Sequence, residues 1–282
     1  MTRRRITVSS LAPALGAEIA GVDLAAPLDA ETAGEVRRAF LDHQVLFFRG
    51  QTLTPAQLVA VAELFGRVGT YPFAAAIPEH PQVIAVVKEP HQTTNFGGIW
   101  HTDTPYLERP ALGSVLYALE VPEIGGDTVW ANGYRAWETL SDGLRAVLAP
   151  LQAVHSAAKN KAKLRADHLH GGAMRGQSEA AMDVTEAEHP VARTHPETGR
   201  TALYVSPAHT TRFAGWTEEE SAPLLGHLFR HITREDNTCR FRWTKGALAV
   251  WDNRCTLHYP LNDYHGRRRE LHRVTIEGER PV

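Results

Sequence analysis

The feature that most constrains the fold is a succession of short apolar runs, each about the length of a strand and each closed by a turn residue. Gln44-Val-Leu-Phe-Phe-Arg49 is the densest, and Gly50 ends it. Its length and uninterrupted apolar character predict a buried strand. Shorter signals of the same kind recur at 6–8, 17–22, 83–87, 113–118, 128–131, 202–205, 240–243, 247–252 and 273–277. Helical spacing is confined to a few places. Residues 30–43 put Ala33, Val36, Phe40 and Leu41 on one side. A second helix opens with Thr54 as N-cap and Pro55 at its first position, and runs to about Phe65 before Gly66. Two more helices are expected at 134–148 and 217–233.

Many strands with helices at the front and between them predict an α+β, mainly β chain built around a β-sandwich or jelly roll. No linker divides it, so 1–282 reads as one domain. Residues 159–188 are polar, rich in Ala, Gly, His and charge, and have little periodicity. They are expected to form a long lid-like excursion.

Composition excludes several function classes. The formal net charge is −2, which argues against a nucleic-acid or membrane-surface partner. No apolar run approaches the roughly 20 residues of a membrane span. Two cysteines, Cys239 and Cys255, make no disulfide framework and point to a reducing compartment. Met1-Thr-Arg-Arg-Arg imitates the front of a signal peptide. Ser9, Ser10, Pro13, Gly16 and Glu18 interrupt the apolar core such a signal needs, so a cytoplasmic location is expected.

Trp100-His101-Thr102-Asp103 follows the glycine-rich loop Thr93-Thr-Asn-Phe-Gly-Gly98. In an extended strand His101 and Asp103 point to one face and can offer a nitrogen and an oxygen to one ion. His258, just past an apolar strand, supplies a second imidazole. Two histidines and one carboxylate leave open positions, as non-haem iron(II) requires. With fifteen histidines in the chain, a His-x-Asp also arises by chance or as a simple hydrogen-bonded pair. Two further features bear on it. Arg269 lies eleven residues past His258, and a hairpin would return it to the metal face. Its fork suits the distal carboxylate of 2-oxoglutarate. Gly125-Gly-Asp-Thr128 frees the backbone for close approach and adds a hydroxyl for the same carboxylate. The plainer alternatives are a solvated basic turn and an ordinary turn entering a strand.

In combination these segments resemble the taurine dioxygenase and 2,4-dichlorophenoxyacetate dioxygenase family over nearly the whole chain. Gly16-Ala-Glu-Ile-Ala-Gly-Val-Asp-Leu24, His43-Gln-Val-Leu-Phe-Phe-Arg49, Val191-Ala-Arg-Thr-His-Pro196, Trp251-Asp-Asn-Arg254 and Arg268-Arg-Glu-Leu-His-Arg273 carry the rest of the likeness. The resemblance implies a double-stranded β-helix that couples oxidative decarboxylation of 2-oxoglutarate by O2 to attack on a C–H bond of a small molecule. It implies Fe(II) on His101, Asp103 and His258, 2-oxoglutarate on Thr128 and Arg269, and a homo-oligomer, dimer or tetramer.

Departures from the family pattern bear on the substrate. Taurine dioxygenases carry a histidine where this chain has Tyr71, so taurine itself is not expected. Arg273 matches the arginine that takes the sulfonate, so an anionic substrate end is. Tyr71, Phe73, Phe96 and Tyr204 are candidates for an apolar wall, or for core packing. The oxidation can end in hydroxylation, desaturation or cleavage beside a heteroatom, with a sulfonate, alkyl sulfate or aryloxyalkanoate as substrate. Two readings from other classes are a zinc hydrolase on the same three ligands and a non-catalytic jelly-roll binding protein.

Overall fold

The structure is a computed structural model and describes residues 5–71, 74, 76–160 and 185–282. The dense run becomes the strand Val45–Phe48, buried along its whole length. Successive side chains of a strand face opposite ways, so the run packs against two layers. Leu46 and Phe48 meet Val36, Ala39 and Phe40 of the helix Ala30–His43 and Leu58, Val61 and Ala62 of the helix Pro55–Glu63. Val45 and Phe47 face the other way. Phe47 stacks on Phe241 at 4.1 Å and meets the edge of Trp130 at 5.2 Å. A strand covered on both faces has no position for a polar side chain, which is why this run shows no alternation.

Val45–Phe48 belongs to a nine-stranded sheet. Its order is Thr7–Ser10, Ala17–Ala20, Val45–Phe48, Leu248–Asp252, Gly113–Glu120, Arg269–Ile276, His80–Lys88 and Ala76–Ile77, with Val68–Gly69 also paired to Arg269–Ile276. A smaller antiparallel sheet, ordered Thr238–Phe241, Thr128–Asn132 and Thr256–Pro260, faces it. Phe47, Trp130, Phe241, Trp243, Trp251 and Leu271 fill the space between, so the two sheets form the expected jelly-roll sandwich with helices on the outer face of the larger one. The helix Glu218–Ile232 covers a third apolar cluster through Leu225, Leu228 and Ile232. Among the described residues no helix is long and apolar enough to cross a membrane.

Two expectations need correction. The helix read over 134–148 is two helices, Gly133–Glu138 and Asp142–Leu148. Ser141 starts the second because its side chain accepts from the Leu144 N–H, which caps a new helix rather than continuing the old one. The excursion over 159–188 is narrower than its composition suggests. Ala158–Asn160 is a 3-10 turn, and Glu186–Pro190 pairs with Gln152–Ser156. Residues 161–184 and Phe73 lie outside the described residues.

Candidate active site

The site sits at one mouth of the sandwich, where the two sheets diverge. His258 lies on the inner face of Thr256–Pro260. His101 pairs with it in an isolated bridge, through His101 N–H to His258 O at 3.0 Å and His258 N–H to His101 O at 2.7 Å. The extended strand expected through His101 and Asp103 is therefore a single bridged residue followed by a bend. Thr104 adopts a left-handed φ of 51°, costly for a β-branched residue, and its hydroxyl accepts from the Ala111 N–H. This turn, rather than strand periodicity, aims Asp103 at the histidines.

The Nε2 atoms of His101 and His258 each lie 3.9 Å from Asp103 Oδ1. All three side chains are buried, and their donor atoms fall within 4.8 Å of one another. The His101 Nδ1–H donates to Ile99 O at 2.7 Å, which leaves Nε2 as the lone-pair nitrogen. Gly97 makes room for this ring: a Cβ there would lie 2.7 Å from His101 Cε1, and its φ of +73° suits glycine. Burial, and next the neighbouring His101, push His258 well below its ordinary pKa, so it is neutral and able to donate a lone pair at pH 7. Burial alone would raise Asp103. Arg273 foremost, then His258, His101 and Ser114, outweigh it and hold the carboxyl below the usual carboxylate range. Two imidazoles and an ionised carboxylate, buried and converging, fit a divalent transition metal.

The second carboxylate oxygen is fully engaged. Asp103 Oδ2 accepts from Ser114 Oγ at 2.9 Å, from Asn253 Nδ2 at 3.1 Å and from Arg273 at 2.8 Å. Asn253 is itself oriented, since its Oδ1 accepts from Trp251 Nε1 at 2.9 Å. Asp252 and Arg254 on either side form a buried pair that also takes in His195 and Glu197. His195, Asp252 and Cys255 come close enough to suggest a second metal cluster. Both Asp252 oxygens, however, are already bound by Arg254 and His195, so this group anchors the turn that carries Asn253. Asn253→Ala is expected to weaken metal binding by roughly 10- to 100-fold, as loss of a group that orients a ligand does. Titration with Mn(II) by calorimetry checks this, and an unchanged affinity would show that Ser114 and Arg273 suffice.

Arg269 reaches the same mouth by a different route from the one expected. Residues 258 and 269 do not form a hairpin. His258 pairs within the small sheet, whereas Arg269 pairs with Lys88 in the large one, so the intervening chain crosses between sheets. Arg269, Leu271 and Arg273 share the inner face of their strand by its period of two. Arg269 is buried, and its Nε and Nη2 have no hydrogen-bond partner among the described residues. Thr128, on the opposite sheet, is buried beside it in the same cleft. Gly126 lets the arginine pass: a Cβ there would sit 3.3 Å from Arg269 Cδ and Nε, and φ is +72°. A buried guanidinium with two unbonded nitrogens near a metal-type ligand set fits a small anion that also meets the metal.

The cleft is walled by Val86, Phe96, Leu116, Trp130 and Trp251 between His101, His258, Thr128, Arg269 and Arg273. Phe96 thus lines it. Tyr71 is not among the cleft's walls, but Arg273 lies 5.2 Å from the centroid of its ring. Tyr204 does not line it. Its ring carries Arg193 at 4.8 Å and packs beside His155 and His189 in a separate buried group. Sequence reasoning missed Ser114, Asn253, Trp130, Trp243 and Lys88. Ser114, a polar residue at an inward position of an apolar strand, carried a usable signal.

With the geometry in hand, comparison with known proteins is informative. The family described as Taurine catabolism dioxygenase TauD, TfdA family matches residues 7–275. The chain is 37% identical over 278 residues to an alpha-ketoglutarate-dependent sulfate ester dioxygenase of Pseudomonas putida, covering 98% of this chain and 91% of that protein. It is 34% identical to an alkylsulfatase of Acinetobacter baylyi, over 98% of this chain and 86% of that one. A crystal structure of a taurine dioxygenase from Burkholderia xenovorans superposes with a TM-score of 0.83 at 36% identity, covering 99% of this chain and 91% of the other.

Proposed function

The chain belongs to the taurine catabolism dioxygenase TauD, TfdA family, and from that premise we propose that it oxidises a C–H bond of a small organic anion, with an alkyl sulfate ester as its substrate class. The family implies Fe(II), 2-oxoglutarate and O2, and the His-Asp-His group supplies a matching donor set. His101, Asp103 and His258 would hold the iron, and Thr128 and Arg269 the distal carboxylate of 2-oxoglutarate. Iron held there would supply the oxidising chemistry, in which one atom of O2 goes to 2-oxoglutarate, giving succinate and CO2, and the other to the C–H bond.

The protein's own residues have narrower tasks. Arg269 and Thr128 fix where the cosubstrate lies. Trp130, Trp251 and Leu116 exclude water from the reacting region. Arg273 presents a guanidinium at the cleft while anchored on Asp103, and Phe96 and Val86 offer apolar surface for a hydrocarbon body. The observation that carries the reading is the pairing of a His-Asp-His ligand set with a buried arginine, two of whose nitrogens are unbonded, in one cleft. The sulfate ester assignment draws support from the Pseudomonas and Acinetobacter relatives and from Tyr71 in place of the family's sulfonate-side histidine. Oxygen insertion at the carbon bearing the ester oxygen gives a hydroxylated ester, which collapses to an aldehyde and inorganic sulfate. A cytoplasmic homo-oligomer, folded as one domain over 1–282, completes the reading.

Succinate release is to be measured with Fe(II), 2-oxoglutarate and, in turn, a linear alkyl sulfate, an alkyl sulfonate and an aryloxyacetate. The alkyl sulfate is expected to stimulate it most, with aldehyde and sulfate formed one to one. A stronger response to the sulfonate or the aryloxyacetate would replace the substrate class. No 2-oxoglutarate turnover with any of them would overturn the enzyme reading.

A further inference from the structure

We propose that Trp243 is a positioning residue for the cosubstrate: it fixes the Thr128 hydroxyl as a donor and seats the Arg269 guanidinium without using up its N–H groups. This rests on the reading that Thr128 and Arg269 take the 2-oxoglutarate carboxylate. Trp243 is buried just beyond the strand Thr238–Phe241, whose Phe241 is paired with Thr128. Its indole therefore lies beside the first residue of the neighbouring strand.

Two contacts converge on this one side chain. Trp243 Nε1 donates to Thr128 Oγ1 at 3.0 Å. An indole N–H can only donate, so the hydroxyl oxygen must accept here. The single hydroxyl proton is left to point elsewhere. A carboxylate is acceptor-only, so a threonine held this way is committed to the role the ligand needs. A hydroxyl without such a partner would be free to rotate.

The second contact is with Arg269, whose Cζ lies 5.7 Å from the Trp243 ring centroid, with the Tyr264 ring 5.9 Å away. A carboxylate partner would also have held this arginine, but it would have neutralised the charge and occupied the N–H fork. Aromatic faces attract a cation without accepting its conventional hydrogen bonds. That accounts for a guanidinium held in place with Nε and Nη2 still unbonded. Lys88, opposite Arg269 across the strand pair, follows the same pattern, with Nζ 4.1 Å from the Tyr264 ring centroid and bonded to the neutral Asn262 Oδ1. Two cations are thus kept side by side against aromatic rings and a neutral amide, with Asp127 and Asp263 favouring their charged forms, and the two unbonded Arg269 nitrogens stay available to an incoming dianion.

A purely structural role would be packing in the cluster with Phe47 and Phe241, and the test separates the two. 2-Oxoglutarate binding to the Mn(II)-loaded protein is measured by calorimetry. Trp243→Phe is expected to raise Kd about tenfold, the scale of one lost hydrogen bond to a charged acceptor network. Because the smaller ring can also loosen packing, 3-benzothienylalanine in place of Trp243, which keeps the fused ring and lacks the N–H, serves as the second variant. It is expected to raise Kd about fivefold in the parent but less than about twofold in Thr128→Val, since the hydroxyl it would orient is gone. Equal losses in both backgrounds, or an unchanged Kd in either Trp243 variant, would overturn the inference. Arg269→Met keeps the two levels apart. If it binds 2-oxoglutarate like the parent, the cosubstrate reading itself falls. If it loses binding while the Trp243 variants retain it, only the role of Trp243 falls.

Discussion

His101→Ala is expected to bind Fe(II) or Mn(II) on the order of a hundredfold more weakly or worse, because a ligand is lost rather than only its supporting shell, and to release no succinate. The surroundings of His101 leave no substitute. Its ring fills a space made by Gly97, and the Ile99 carbonyl, by accepting from Nδ1, leaves Nε2 as the ligand atom, so truncation removes that donor outright. The nearby His209 ring is 6.4 Å away, centroid to centroid, and belongs to a different loop. Folding should suffer little, since the backbone bridge to His258 does not need the imidazole. Metal titration followed by thermal melting checks both halves of the expectation. Parent-like metal affinity, or full succinate release, would remove His101 from the site.

His101 is also a cleaner target than Asp103. The Asp103 carboxylate is the buried partner of Arg273. Removing it strands a guanidinium away from water, a change that typically costs about 3–5 kcal/mol. A loss of activity in an Asp103 variant would then mix chemistry with folding. Truncating His101 leaves the Asp103–Arg273 pair in place, so its loss reports on the metal.

The difference between the two residues also marks what could be read in the sequence. Val45–Phe48 was legible because its apolar content is dictated locally by cover on both faces. Thr54 and Gln57 form the capping box of the second helix, a signal contained within four residues. His101, Asp103 and His258 were visible as residue types, but the physical link between them was not. What joins them is a backbone bridge over a long stretch of chain and a threonine in a left-handed turn. Neither has a periodic signature. The hairpin expected between 258 and 269 failed for a similar reason. Both flanks do have strand character, yet partner choice is set by which sheet each edge can complete, a nonlocal matter. Ser114 and Asn253 show the limit most plainly. Ser114 is one polar residue in an apolar strand and Asn253 lies between two charged residues, and only the fold reveals that both donate to the same carboxylate oxygen.

Arg269→Met is expected to raise the Kd for 2-oxoglutarate roughly a hundredfold or more, the effect of removing one side of a buried charge-assisted pair. The same variant, without ligand, should melt no lower than the parent. This combination is unusual, because truncating a buried arginine ordinarily destabilises. It follows here from what Arg269 lacks. Burial works against its charge, and Nε and Nη2 have no partner among the described residues. An unsatisfied buried donor costs the folded state about 1–3 kcal/mol, and methionine of similar length keeps the packing while removing that cost. With ligand the order reverses. The parent should gain about 2.7 kcal/mol when 2-oxoglutarate is a hundredfold above its Kd, and the variant should gain little at that concentration. Melting curves of the Mn(II) forms with and without 2-oxoglutarate therefore give opposite rankings of the two proteins. A variant that melts well below the parent without ligand would show that Arg269 is structurally satisfied. Equal stabilisation of both by 2-oxoglutarate would show that the carboxylate is held elsewhere. The stability withheld from the empty protein by the two unbonded Arg269 nitrogens is available to the complex, and that is how a buried arginine with unfilled N–H groups is retained in a folded chain.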